Sequence, residues 1–178
     1  MKIPKPKPLL ARSFLLPILF CTFLISTLSL FTGCQQSVFQ SLKKTDELFV
    51  YEGLPHPGRE NPSFEKEKKR EDVRQIDGYW FYDAKVKASG EPRDLLMNML
   101  FDESGFRVPG PNALEKDCGP FHPDYAITWN ADGEGNYLML CYTCGEAKLI
   151  REGKSIIYDL VVYKKWQKVL SKFESKRP

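Results

Sequence analysis

The chain has 178 residues, with 26 Lys or Arg and 23 Asp or Glu, and its formal net charge is +3 at neutral pH. Four of the basic residues and none of the acidic ones lie in residues 1–33, so the remainder carries 22 basic and 23 acidic residues. Because the basic surplus is confined to the first segment, the charge gives no argument for binding to nucleic acid. We therefore predict no nucleic-acid partner.

The first 33 residues have the layout of an export signal. Lys2, Lys5, Lys7 and Arg12 make a positively charged start, and residues 13–31 carry no charge. This layout is typical of a secretory signal, because the cationic end stays in the cytoplasm while the apolar run enters the bilayer. An uncleaved transmembrane anchor is one alternative, since about 20 apolar residues suffice to span a membrane. Ordinary secretion is the other.

Two small residues, Thr32 and Gly33, stand directly before Cys34. This arrangement resembles the lipobox cut by the lipoprotein signal peptidase, with Phe31 where the pattern usually has Leu. The resemblance implies that the Cys34 thiol carries a diacylglycerol and that its amine takes a further acyl chain such as palmitate. Several acyl chains give stable anchoring, because each buried CH₂ contributes about 0.8 kcal/mol. With Gln35 rather than Asp next to the cysteine, we expect an outer-membrane lipoprotein facing the periplasm.

The remaining sequence has room for a tether over 34–46 and a single domain over 47–178. Consecutive predicted strands are expected to pair as hairpins rather than to alternate with helices. This arrangement is typical of the α+β class. We predict an antiparallel sheet with helices packed on one face and a helix at the C-terminus. The predicted strands cover 47–51, 78–88, 125–129, 136–142, 147–150 and 154–160, and the predicted helices cover 63–72, 89–105 and 162–173.

Three cysteines remain in the exported part, at Cys118, Cys141 and Cys144. Cys118 and His122 stand before a predicted hairpin, and Cys141 and Cys144 stand at the end of its return strand. A regular hairpin would bring these four residues together, and they could hold a structural zinc ion as a Cys₃His site. A disulfide from Cys118 to Cys141 or Cys144 is the main alternative in an oxidising compartment. Reduced core cysteines and a redox-active C-x-x-C are two more. Covalent haem is excluded, because Gly145 stands where C-x-x-C-H needs its histidine.

Other polar residues in the same loops are His56, Asp124 and Glu146. His56 and His122 are the only histidines, and no Ser or Cys is placed by the sequence to act as their nucleophile. The plain interpretation of His56 is a loop imidazole bonded to the backbone. We therefore favour a domain that is not an enzyme, and we assign no catalytic residue.

At these loops the sequence resembles a group of uncharacterised bacterial proteins, associated with planctomycete- and verrucomicrobia-like bacteria. The resemblance covers roughly 47–178 and implies a single domain, without an activity to carry over. It rests on four motifs, which are Tyr51-Glu-Gly-Leu-Pro-His-Pro57, Gly78-Tyr-Trp-Phe-Tyr82, Cys118-Gly-Pro-Phe-His-Pro-Asp124 and Cys141-Tyr-Thr-Cys-Gly-Glu146.

The chain departs from that group at two positions, with Pro120 in place of a second Gly and Gly145 where His often stands. Taken together, the sequence predicts a lipid-anchored envelope lipoprotein with a non-enzymatic binding or structural domain. It names neither the ligand nor the envelope partner. The alternative is a metal-binding module with structural zinc, or a thiol-redox module.

Overall fold

The computed structural model describes residues 41–43, 45–57, 62–110, 119–131 and 133–175. The chain from Ser41 onward forms one compact unit. The predicted export signal, Cys34 and Cys118 lie outside the described residues. Within the described ranges, no helix is both long and apolar enough to cross a membrane.

The described residues build one antiparallel sheet, and this confirms the predicted α+β class. Its eight strands lie in the spatial order β2-β3-β1-β5-β6-β7-β8-β4. Strands β5 to β8 are neighbours in sequence and in space, as expected for hairpins. The strands are β1 (Leu48–Gly53), β2 (Val73–Ile76), β3 (Tyr79–Lys87), β4 (Phe106–Arg107), β5 (Tyr125–Ala131), β6 (Glu134–Cys141), β7 (Glu146–Arg151) and β8 (Lys154–Leu160).

Three α-helices of five or more residues and two 3₁₀ turns accompany the sheet in the part of the chain that the structure describes. The first helix is shorter than predicted and ends at Glu67, because the following residues form the hairpin of β2 and β3. Asp77 and Gly78 both have positive φ, at 49° and 82°, as a two-residue hairpin turn requires. The helices are α1 (Ser63–Glu67), α2 (Gly90–Phe101) and α3 (Tyr163–Leu170), and the 3₁₀ turns are Glu103–Gly105 and Ser171–Phe173.

One face of the sheet carries the main core beneath α2 and α3. Period-2 alternation puts Leu48 and Val50 of β1 on this face, opposite Trp129 and Ile127 of β5. The helices contribute fully buried apolar side chains, and removing each from water is worth about 1.5–3 kcal/mol. The ring of Phe106 joins the layers, with centroids 5.7 Å from Trp166 and 5.8 Å from Tyr158. The buried helical residues are Leu96, Leu100, Trp166, Val169 and Leu170.

The compact unit reaches into the segment predicted as a tether. Leu42 is fully buried, and Ser41 accepts a hydrogen bond of 3.3 Å from the indole nitrogen of Trp129. Thr45 is also buried, and its carbonyl accepts from the guanidinium of Arg93 at 3.3 Å. The last residues of the predicted tether therefore pack on the domain, because Leu42 supplies an apolar side chain that the core can bury.

Candidate functional site

Three loops meet at one end of the sheet, and each contains one of the motifs singled out in the sequence. The N–H of Gly53, at the end of β1, donates to the carbonyl of Asp124 over 2.7 Å. The N–H of Asp124 donates to Leu140 of β6, also over 2.7 Å. The N–H of Tyr142 donates to the Asp124 carboxylate over 2.6 Å. These bonds tie the segment after β1, the loop before β5 and the β6–β7 turn together.

The two histidines lie against each other in this junction. The ring centroids of His56 and His122 are 4.8 Å apart, and the rings are tilted by 48°. Phe64 of α1 covers the other side of His122, at 5.8 Å with an edge-on ring. The Nδ1 of His56 lies 3.2 Å from the carbonyl oxygen of Pro57, so this nitrogen is the donor and Nε2 is left as the ring's acceptor.

His122 is buried, and its surroundings keep it neutral. Burial first, and then the neighbouring imidazole of His56, lower the pKa of His122 to about 4. Its Nδ1 is buried without a hydrogen-bond partner among the residues that the structure describes. At neutral pH this ring therefore packs as an uncharged polar group beside His56.

The carboxylate of Asp124 is held in a half-buried position. Burial raises the pKa of Asp124 above its ordinary value, while the hydrogen bond from Tyr142 and the nearby His56 act in the opposite direction. One carboxylate oxygen is engaged by the Tyr142 N–H. A carboxylate with a raised pKa in a cleft is a frequent sign of a functional site.

The phenol of Tyr142 is the third unusual group. Its hydroxyl is buried and has no hydrogen-bond partner in the described part of the chain. Burial raises the pKa of Tyr142, and the nearby Tyr125, Asp124 and Glu174 raise it further, so the phenol stays protonated. The rings of Tyr125 and Tyr142 lie 5.9 Å apart at an angle of 49°.

Three of these residues, His56, Asp124 and Tyr142, line a cleft of about 310 Å³, which we call the end cleft, and His122 is not part of its lining. Its wall runs from the segment after β1 to the residues that follow α3, so both ends of the domain contribute. The polar and aromatic side chains that line it are Glu52, His56, Asp124, Tyr125, Tyr142, Gln167, Ser171 and Glu174. A concave site with convergent polar groups and shifted pKa values is where ligand binding is expected first.

A larger hollow of about 570 Å³ lies on the sheet face opposite α2 and α3. The two basic side chains that line this hollow contact aromatic rings of the same hollow. Lys85 lies 4.2 Å from the ring centroid of Phe49, and Arg74 lies 5.5 Å from that of Tyr51. Arg74 also forms an ion pair of 3.2 Å with Asp83. Because these groups satisfy one another, the smaller end cleft is the better candidate site.

The cysteines of the β6–β7 turn stand next to the end cleft. Cys141 ends β6, and the thiols of Cys141 and Cys144 are both buried and are not bonded to each other. The N–H of Cys144 donates to the Cys141 sulfur over 3.4 Å, and Gly145 has a positive φ of 61° that closes the turn. The turn is therefore tight around the first sulfur.

The described residues do not gather three His, Cys, Asp or Glu side chains into a group that could hold a metal ion. Cys118, the third thiol of the predicted Cys₃His set, lies outside the described residues. The predicted zinc ion and the predicted disulfide from Cys118 therefore both stay predictions. Glu146 opens β7 opposite Cys141 and Asp159, and it is not among the residues that line the end cleft.

Most residues that line the cleft were not predicted as site residues from the sequence, Glu52, Tyr142 and Glu174 among them. Glu52 lies inside the first motif, in which His56 was the candidate residue. Tyr142 lies between the two cysteines of the C-x-x-C motif, in which the thiols were the candidates. Glu174 follows the last helix and gives no local signal. Comparisons of the chain with protein-family models, with curated proteins and with solved structures find no match.

Proposed function

We propose that the chain is a lipid-anchored envelope lipoprotein whose domain is a non-enzymatic binding module, and that the end cleft holds the ligand. The observation that carries the binding role is the meeting of three separate loops around one cleft. Building such a junction costs conformational entropy and buries polar groups, which a merely structural domain has no need to do. The anchor is proposed from the Cys34 motif alone.

Binding is favoured over catalysis because the cleft lacks an activated nucleophile among the described residues. Ser171 is a hydroxyl that lines it, and this hydroxyl donates to the carbonyl of Lys168 over 3.0 Å rather than to an imidazole. His122, whose pKa is lowered, packs between Phe64 and His56. A nucleophile needs a base within hydrogen-bond reach, and no such pair is formed here.

The anchor is tested in a bacterial host that is fed an alkyne analogue of palmitate. We expect the native chain to be labelled, to lose residues 1–33 and to fractionate with membranes. Cys34→Ser should lose the label and the processing, while Cys21→Ser, inside the export signal, is the matched control and should keep both. A Cys34→Ser chain that is processed and membrane-bound like the native one would overturn the anchor.

The binding role is tested by thermal unfolding of the full chain, in a non-ionic detergent, against a library of small molecules. A ligand specific to the folded state raises the melting temperature in proportion to its occupancy. We expect stabilising compounds whose effect is reduced in Tyr142→Phe but kept in Tyr163→Phe, an exposed control. A library without any stabilising compound, or compounds that act equally on both variants, would contradict the role.

The metal-binding or thiol-redox module is a second candidate because of one contact, the N–H of Cys144 on the sulfur of Cys141. This contact holds the C-x-x-C turn tight, and two cysteines at that spacing can both reach one tetrahedral metal ion. Zinc analysis of the purified chain and a thiol count after denaturation test it. One zinc per chain, lost in Cys118→Ser and in Cys141→Ser, supports the module, and a metal-free chain with a Cys118 disulfide retires its metal form.

A further inference from the structure

Building on the proposed lipid anchor, we infer that α3 and the adjoining end of β8 form a docking surface for the anionic headgroups of the membrane. This segment is strongly basic. It contains no Asp or Glu between residues 160 and 173, and lysines occupy the exposed side of α3 and of the 3₁₀ turn after it. An anionic bilayer surface attracts clustered lysines of this kind. The lysines are Lys164, Lys165, Lys168 and Lys172.

Three of these lysines have no acidic partner that would neutralise them. Lys164, Lys165 and Lys168 form no ion pair with any residue in the described part of the chain. On the sheet, by contrast, Lys148 is paired with Asp77 at 3.1 Å. Because neighbouring acids do not offset the three charges, the exposed side of α3 carries a positive potential that reaches about 8 Å into a physiological salt solution.

Exposed apolar side chains lie next to the lysines. Val161 and Tyr163, which join β8 to α3, are 55% and 41% exposed. Large apolar side chains confined to one edge of a domain mark an interaction surface. Apolar residues flanked by lysines are typical of a surface that enters the headgroup region of a bilayer. Among the described residues, the other large apolar side chains that are exposed also lie on β8 or directly after β4, and they are Val108, Ile156 and Ile157.

The short tether restricts which side of the domain can meet the membrane. Ser41, the first described residue, bonds to Trp129 on the sheet face that α2 and α3 cover. The ammonium of Lys43 lies 5.5 Å from the ring centroid of Phe101, the last residue of α2. Six residues separate Ser41 from Cys34 in the sequence, and this length of chain spans at most about 25 Å, less than the roughly 30 Å diameter of a small domain. A lipid on Cys34 therefore keeps the side that carries α2 and α3 near the membrane.

Of the two helices on that side, α3 is the one whose charge suits anionic lipid. The exposed side of α2 carries the acids Glu91 and Asp94, and Lys172 lies 3.9 Å from Glu91. The positive surface therefore ends where α2 begins. An anionic bilayer repels these acids and attracts the lysines. The domain should then turn α3 and the end of β8 towards the headgroups.

Acylation of individual lysines tests the docking on the lipidated chain inserted into preformed vesicles. A water-soluble N-hydroxysuccinimide ester reacts with accessible amines, and mass spectrometry measures each lysine separately. One set of vesicles contains equal parts of phosphatidylglycerol and phosphatidylcholine, and the other contains phosphatidylcholine alone. We expect Lys164, Lys165 and Lys168 to react at least about threefold more slowly on the anionic vesicles, and this difference should shrink as the salt concentration rises.

The same measurement contains its own control. Lys66 and Lys69 are exposed on and just after α1, which contacts β3 through a hydrogen bond of 3.2 Å from Tyr82 to Glu67. Because β3 and β8 lie on opposite sides of the sheet order, these two lysines are outside the docking surface. They should react at the same rate on both kinds of vesicle.

A pair of double variants links the protection to the charges of α3. Lys164→Gln combined with Lys168→Gln removes two exposed charges and leaves the core intact. We expect Lys165 to lose its protection on anionic vesicles in this variant. Lys66→Gln combined with Lys69→Gln is the matched control and should keep the protection. Undiminished protection of Lys165 in the α3 variant would overturn the role of the lysines and with it the inference.

The outcomes separate this inference from the anchor on which it rests. A chain that floats with both kinds of vesicle in a density gradient, but whose α3 lysines react equally on both, would overturn the docking and keep the anchor. Protection that is equally strong in detergent would assign this surface to a protein contact, a second copy included, and would overturn the docking too. A chain that carries no acyl group would overturn the anchor together with the docking that is built on it.

Discussion

The α-carbon of Gly53 lies so close to the carbonyl oxygen of Pro123 that a β-carbon on Gly53 would overlap this oxygen. The N–H of the same glycine donates to the next carbonyl, that of Asp124, over 2.7 Å. This approach joins the end of β1 to the loop before β5 and so holds His56 against His122. Because glycine has no β-carbon, Gly53 can approach Pro123, which is about 70 positions away in the chain.

We predict that Gly53→Ala destabilises the domain by about 2–3 kcal/mol, the upper range for forcing an atom into occupied space, because backbone rather than a flexible side chain must move. The substitution should also weaken ligand binding in the end cleft. Gly110→Ala is the matched control, since a β-carbon there meets nothing within 4 Å. Urea unfolding of both variants gives the free energies, and a Gly53→Ala loss no larger than the control's would refute this account of the junction.

The stability of the domain should depend on the protonation of His122. Its pKa is lowered from 6.5 to about 4 in the folded chain, so between these values the unfolded chain binds the proton more readily. Unfolding therefore becomes easier as pH falls through this window, and the stability present above pH 6.5 is lost progressively towards pH 4. We expect a loss of about 3 kcal/mol by pH 4, because one pKa unit corresponds to about 1.36 kcal/mol, and urea unfolding at half-unit steps of pH measures it.

His122→Leu should remove most of this slope, because the variant has no proton to bind there. Asp124 contributes to stability with the opposite sign, because burial raises its pKa in the folded chain. Its charge therefore lowers stability at neutral pH, and this cost disappears when acid protonates the carboxylate. The two groups are therefore distinguished by the sign of their contribution. A slope that is unchanged in His122→Leu would show that another group causes the acid sensitivity.

Much of the fold could be predicted because it is encoded by local patterns. The β7–β8 hairpin, predicted as strands over 147–150 and 154–160, turns at Glu152 and Gly153, which both have the positive φ that a two-residue hairpin turn requires. The β2–β3 hairpin turns in the same way at Asp77 and Gly78, which also have positive φ. The charged residues before it predicted a longer helix instead. Strand β4 has only two residues and exists because Phe106 and Arg107 pair with β8, so no local signal could reveal it.

The candidate site was predicted in part for the same reason. The sequence identified His56, His122 and Asp124 as polar residues of Pro-rich loops, where function concentrates. It could not show that the rings of the histidines meet, because that contact depends on the approach of Gly53 to Pro123. Glu174 joins the cleft only through the packing of the last helix, which is a tertiary property.

The hydrogen bond between Asp124 and Tyr142 makes two substitutions at one position informative. Asp124→Ala leaves the Tyr142 N–H without its acceptor and should cost about 1–3 kcal/mol. Asp124→Asn keeps an oxygen for that N–H and removes a buried charge whose pKa is raised, so its cost at neutral pH should be below about 1 kcal/mol. Urea unfolding at pH 7 measures both, and equal losses would mean that charge rather than the hydrogen bond holds the turn.

The largest single loss of stability is expected in the core under α3. Trp166 is fully buried and packs on Phe106, whereas the neighbouring Lys165 is exposed. Trp166→Ala removes the whole ring and leaves a cavity, which costs about 3–5 kcal/mol, a large part of the roughly 5–15 kcal/mol that stabilises a typical domain. Lys165→Ala, one position earlier on the same helix, should change the free energy of unfolding by less than about 0.5 kcal/mol. Thermal and urea unfolding compare the pair, and a small loss for Trp166→Ala would mean that α3 does not close the core as described.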